Sequence, residues 1–188
     1  MSSELDRVLR RLKPEKRATP LKVRSIESLD FLDSSASLPA KLLYDTTVYI
    51  DVVQNRFPTA GDIALLTAHA WHSTVTEAEL VAPCGFLKPD HPTTPAVLKA
   101  ISALVQRRPG HRTIAPDREI WIEAGILSGM LARLQNYGQS QRLRLLNDAL
   151  LLATARKYGL TLLTRNISDF DLLQQLEPSA SVLFYNRS

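Results

Sequence analysis

A single cysteine, Cys84, stands among 188 residues, so the chain can form no internal disulfide framework and offers no cysteine cluster for zinc. That points to a reducing, intracellular setting. Long apolar runs are missing as well. The most continuous, such as Ala149 to Ala153, fall far short of the ~20 residues a membrane span needs, and no secretory leader or lipidation motif is visible. The expectation is a cytoplasmic protein with no membrane partner. What remains, 45% apolar and 22% charged residues, is the composition of an ordinary globular chain, long enough to bury a real core.

The formal charge of +4 is unevenly spread. Between Met1 and Arg24 there are eight basic residues against three acidic ones (Glu4, Asp6, Glu15), which leaves the rest of the chain near neutral. Residues 1–40 read as a basic N-terminal arm and residues 41–188 as the globular body. Within the arm Leu5, Val8, Leu9 and Leu12 recur at helical spacing behind a Ser3 N-cap, with Pro14 closing the helix. This helix is expected to pack on its own domain; the alternative is a basic face, with Arg7, Arg10 and Arg11, that binds nucleic acid or a partner. Ala18 to Pro39 reads as a loose link in which Ile26 to Leu32 can dock on the body.

After Pro39 short β-like runs alternate with helical ones. The expected strands are Leu42 to Tyr44, Ser73 to Val75, Arg112 to Ala115, Leu160 to Thr164 and Ser181 to Phe184. The expected helices are Val48 to Asn55, Ala60 to Ala70, Thr76 to Val81, Thr94 to Gln106, Arg118 to Tyr137 and Asn147 to Tyr158, although Val48 to Val53 could instead prolong the first strand. Strands separated by helices imply an α/β fold, a three-layer α/β/α sandwich around a mostly parallel sheet, with the N-terminal basic extension added.

In such a fold the strands end at one edge, where ligands gather. Asp45 follows the first strand, Glu77 and Glu79 follow the second, and Asp169 lies just past the fourth. Asp148 opens the helix leading into that fourth strand. Each has a plain alternative. Thr76 and Glu79 fit a capping box, Asp148 in a first helical turn is favoured by the helix dipole, and Asn166 or Asp169 can cap the helix through Phe170. As a set they are harder to explain away. Two carboxylates ~4 Å apart repel by ~4 kcal/mol at an effective dielectric of 20, so four in one cleft call for a cation. Oxygen-only ligation suits Mg²⁺ or Mn²⁺, and such sites hydrolyse phosphodiesters. Removing the Asp45 charge is therefore expected to raise stability in the absence of metal.

The segments LLYDTTVYID, STVTEAEL and NDALLLATARKYGLTLLTRNISDF, in that order, resemble those of the PIN-domain ribonucleases, and among them the VapC-type toxins of bacterial toxin–antitoxin pairs. The resemblance runs from Leu42 to Tyr185. It implies a divalent-metal endoribonuclease that leaves a 5′-phosphate and a 3′-hydroxyl. Asp45, Glu79, Asp148 and Asp169 would be its Mg²⁺- or Mn²⁺-binding quartet, Glu79 being preferred to Glu77 because Leu80 follows it. It further implies Thr47 and Asn166 as orienting residues, Arg165 at the RNA backbone, a cognate antitoxin and a homodimer. Thr47 departs from the asparagine of many members. The alternatives are a silent PIN fold that only binds RNA or protein, and a housekeeping RNA-processing nuclease. A haloacid-dehalogenase phosphatase would need an aspartate at Thr47, and no nucleophile elbow surrounds Ser73 or Thr164 to make a triad with His72.

Overall fold

The apolar runs after Pro39 assemble into one sheet. In the computed structural model, which describes residues 3–33, 39–59 and 69–187, the strands are β1 (Lys41–Tyr44), β2 (His69–Ser73), β3 (Thr113–Ile114), β4 (Thr161–Thr164) and β5 (Ser181–Phe184). Every pairing is parallel, in the order β3-β2-β1-β4-β5. The helices are α1 (Glu4–Leu12), α2 (Thr46–Val53), α3 (Thr74–Val81), α4 (Thr94–Gln106), α5 (Arg118–Leu134), α6 (Gln139–Tyr158) and α7 (Ile167–Leu176). The helix expected from Ala60 lies outside the described residues, except that His69 and Ala70 open β2 instead. No helix among the described residues is long and apolar enough to cross a membrane.

Alternation along the strands builds two cores, because successive side chains leave a sheet on opposite faces. Leu43, Leu162 and Val182 point into a layer made by α1, α5, α6 and α7. Leu42, Tyr44, Leu163 and Leu183 point into the other, against Val48 and Tyr49 of α2 and Leu80 of α3. The sheet is thus covered on both faces, as the three-layer expectation requires.

Three boundaries differ from the sequence reading, and each bears on chemistry. The second strand ends at Ser73 rather than starting there: the Ser73 hydroxyl accepts the Val75 N–H at 3.2 Å and caps α3. Thr76 therefore lies inside the helix, fully buried, with its hydroxyl 3.4 Å from the Tyr44 carbonyl, and the expected capping box is not formed. The helix expected from Val48 begins at Thr46, since the Asp45 side chain caps α2, and the alternative of a prolonged first strand falls away. Helix α6 begins at Gln139, more than two turns before Asn147. Its first turn, Gln139 to Arg142, is exposed and polar, so it carries no apolar stripe by which to recognise it.

The N-terminal segment is laid along the body. Ser3 caps α1 as expected, and Val8 and Leu12, 0% and 1% exposed, enter the core beside α5. Further on, Leu29, Phe31 and Leu32 are buried, and Phe31 bridges Phe184 of β5 in parallel.

Candidate active site

Strand order reverses between β1 and β4, and in an open parallel sheet a crevice forms at such a switch point, beyond the strand ends. Asp45 sits there, directly after β1 and 4% exposed. Its own N–H donates to the Leu163 carbonyl of β4 at 3.1 Å. A buried carboxylate must be met by donors, and three meet this one. The Thr46 N–H reaches Oδ1 at 2.6 Å, while the hydroxyls of Thr47 and Thr164 reach Oδ2 at 2.6 and 2.7 Å. Burial pushes the Asp45 carboxyl above its ordinary pKa; the two threonines pull it down, and the charge on Glu79 raises it again.

Glu79 of α3 accepts the Thr46 hydroxyl on one oxygen and the Asn147 amide, at 2.8 Å, on the other. Glu77 turns elsewhere. It lies 3.8 Å from the guanidinium of Arg108, which stacks 4.1 Å from the centre of the Tyr49 ring. Of the two glutamates, only Glu79 joins the cleft.

Asp148 comes from the middle of α6, not its first turn, so no helix dipole compensates its charge. Burial pushes its carboxyl well above the usual range, and the charges of Asp45, Asp169 and Glu79 push it further against the opposing field of Arg144. Asp169 lies in the first turn of α7, whose N-cap is Asn166. The Asn166 amide nitrogen donates to Asp148 at 3.3 Å and to Asp169 at 3.0 Å. Its backbone N–H donates to the Thr164 hydroxyl at 3.0 Å, which in turn donates to Asp45. One chain of hydrogen bonds thus ties the ends of β1 and β4 to both other aspartates.

The remaining buried acids are treated differently. Asp51 takes Arg165 at 2.7 Å, Arg187 at 2.8 Å and the Tyr185 hydroxyl at 2.9 Å. Glu123 takes Arg156 at 2.5 Å and Arg11 at 2.7 Å, and Asp171 takes Arg24 at 2.6 Å. Among the described residues no lysine, arginine or histidine pairs with Asp45, Glu79, Asp148 or Asp169. Among the described residues every buried acid outside this cleft is paired with arginine, whereas buried Asp45 and the half-buried Glu79, Asp148 and Asp169 are not.

Two arginines expected at RNA are already engaged. Arg165 holds Asp51. Arg11 bridges Glu123 and Glu177, lying 2.8 Å from the latter, close enough for an ion pair. Arg10 donates to the Asp6 carbonyl of its own helix at 3.1 Å, and Arg7 is exposed. Sequence reasoning overlooked Thr46, Asn147 and Thr164 as parts of the cleft. The signal for Thr164 was its place at the end of β4, where a hydroxyl meets whatever follows β1.

The Asp51 cluster yields a pH-dependent expectation. Burial opposes ionisation of Asp51, but the hydrogen bonds from Arg165, Tyr185 and Arg187 outweigh it and hold the pKa below the ordinary value. A depressed carboxyl contributes stability above its unfolded pKa and loses it as pH falls through the folded one. Asp51→Asn should therefore be less stable than wild type at pH 7 by roughly 3–5 kcal/mol. The gap should close at pH values beneath the usual aspartate range, as thermal melts across pH will read out.

A hard divalent cation is the group such a cleft would take. Among the described residues no three His, Cys, Asp or Glu side chains stand in a ready coordination arrangement, and the Asn166 amide bridges two of the aspartates instead. The donor chemistry nevertheless fits: four oxygen ligands, no nitrogen or sulfur, coupled charges and no basic partner.

The PIN domain family matches residues 42–173, most of the chain and the whole stretch from β1 into α7. The chain belongs to the PIN domain family. Solved structures place the same fold beside it. VapBC2 from Rickettsia felis, bound to a DNA fragment from its promoter, superposes with a TM-score of 0.55 at 15% identity, over 77% of this chain and 98% of that one. DNA-bound VapBC from Salmonella typhimurium gives 0.54 at 19%, over 78% and 98%. VapBC-1 from nontypeable Haemophilus influenzae gives 0.51 at 20%, over 75% and 95%. At these identities the likeness is one of fold. No curated protein matches the sequence. The PIN domain here carries α1 and the segment to Phe31 as an N-terminal addition that precedes the matched stretch.

Proposed function

We propose that this PIN domain is a Mg²⁺- or Mn²⁺-dependent endoribonuclease, the toxin of a VapBC-like toxin–antitoxin pair. The observation that carries the reading is the exemption of Asp45, Glu79, Asp148 and Asp169 from the arginine pairing given to the other buried acids. Asp45, Asp148 and Asp169 would hold one ion, with Glu79 contributing to it or to a second. A bound divalent cation supplies an activated water and neutralises charge on the leaving oxygen of a phosphodiester. The protein's part is positional. Thr47 and Thr164 fix the Asp45 carboxylate, Asn166 sets the spacing of Asp148 and Asp169, and Asn147 aims Glu79.

Incubating the purified protein with total RNA, with Mg²⁺, with Mn²⁺ and with chelator, tests the reading. Cleavage only with metal, leaving 5′-phosphate and 3′-hydroxyl ends, is expected; no metal-dependent cleavage would overturn it. The unclosed coordination arrangement favours one second reading, a silent PIN fold that binds RNA without cutting, which the same experiment separates. The toxin assignment predicts growth arrest on expression, relieved by a small antitoxin that occludes the cleft with a basic side chain. Harmless overexpression of an active nuclease would favour housekeeping RNA processing.

A further inference from the structure

Asp169, one of the four cleft acids, also lines a cavity of about 110 Å³ together with Tyr137, Gln141, Arg144 and Leu145. The cavity exists because α6 starts early. Gln141, Arg144 and Asp148 follow one another at turn spacing along one face of that helix, so the two polar residues continue the line on which Asp148 stands. Tyr137, before the helix, is half-buried, and burial together with the nearby charge of Asp169 raises its hydroxyl pKa.

Arg144 differs from the other arginines near the cleft. Its side chain is exposed and forms no ion pair among the described residues, whereas Arg11 and Arg165 are committed to buried acids. It stands near enough for its field to act on Asp148, yet one turn away rather than among the carboxylates. A polyanion approaching four acidic groups needs cations beside the site and not inside it, where they would neutralise the acids themselves. Phosphate contacts from arginine position a nucleic acid without reading its sequence.

We propose that Arg144, seated with Gln141 and Tyr137 in this cavity, is a positioning residue that binds a backbone phosphate of single-stranded RNA next to the cleaved bond. The inference rests on the nuclease reading above and adds to it the side from which the strand is held. The guanidinium takes the phosphate oxygens through paired N–H donors, and the Gln141 amide adds a neutral donor.

The test uses the full chain and two probes, a fluorescent single-stranded RNA of about ten nucleotides and a dinucleotide too short to span cleft and cavity together. In chelator, Arg144→Ala should weaken binding of the longer RNA roughly tenfold, uniformly across base sequences, and reduce the slope of log affinity against log salt by about 0.7. Arg144→Lys should keep that slope. With metal, Arg144→Ala should raise KM on the longer RNA well beyond any change it causes on the dinucleotide. An unchanged salt slope, or equal loss of kcat on both substrates, would overturn the subsite, because Arg144 would then act only through the charge of Asp148. Because binding is read without cleavage, the two readings fail separately. A wild type that binds with an Arg144-dependent slope but never cleaves sinks the nuclease; one that cleaves independently of Arg144 sinks the subsite; one that neither binds nor cleaves sinks both.

Discussion

Asp148→Asn should abolish RNA cleavage and, in chelator, melt higher than the wild type. The carboxylate of Asp148 is held well above its ordinary pKa by burial and by three neighbouring acids, and among the described residues it accepts only the long 3.3 Å bond from Asn166. Neutralising it relieves repulsion at little cost in hydrogen bonding, a gain of order 1 kcal/mol, or roughly 2–4 °C in a chain of this size. Activity should fall at least ~100-fold, since even the groups that merely orient metal ligands cost 10–100-fold when lost. Saturating Mg²⁺, at ~100 times its dissociation constant, should add about 2.7 kcal/mol to the wild type and little to the variant. Asp45→Asn should lose activity as fully but melt lower, reversing the expectation drawn from charge alone. The Asp45 carboxylate accepts three donors and caps α2, and an amide cannot satisfy all of them, at a cost of ~1–3 kcal/mol. Thermal melts of the three proteins in chelator and in millimolar Mg²⁺, beside an RNA cleavage assay, decide both points. A less stable Asp148→Asn would show that repulsion in the cleft is not the governing term.

Deleting Met1 to Arg24 should destabilise the fold before it says anything about RNA. Val8 and Leu12 are almost wholly buried, and burying such side chains is worth ~1.5–3 kcal/mol each. Arg11 is lost with them, leaving Glu177, 3% exposed, without its ion pair and Glu123 with Arg156 alone. Arg24, the partner of Asp171, goes too. Against a total stability of ~5–15 kcal/mol, a loss of several kcal/mol should lower the melting temperature by about 10 °C or more or leave the chain unfolded at 37 °C. Calorimetry of the truncated protein reads this directly. A truncation that melts like the full chain, with only its RNA affinity reduced, would return the segment to the status of a free arm.

These two cases also show how far the sequence carried. Strands reported themselves where their residues are apolar or β-branched and buried on both faces, as with β4 and β5. The strand His69–Ser73 did not, since Ala70, Trp71 and His72 carry no such pattern and the pairing with β1 makes the strand. The four acids could be named, because each stands just after a strand or beside one. Their surroundings could not. Whether Asp148 opened its helix or lay in the middle depended on an exposed polar first turn, Gln139 to Arg142, and whether Thr76 or Ser73 capped α3 depended on a boundary three residues long. For the same reason nothing in the sequence assigned Arg11 and Arg165 to buried carboxylates: partners such as Glu123 and Asp51 are remote in the chain and are brought close only by packing.

The contact between Phe31 and β5 has a bearing on how another protein can take hold. Both main-chain groups of Phe184 that face outward are used, its N–H by the Asp30 carbonyl and its carbonyl by the Leu32 N–H, each at 2.8 Å. An open outer strand is a template for adding a strand from another chain, and here the N-terminal segment already fills that place. At the opposite border β3 is only two residues long, too short to align a visiting strand. A visiting strand would therefore find the Phe184 end of the β5 border already taken by the protein's own chain, and would have to displace the Asp30 to Leu32 segment to pair there.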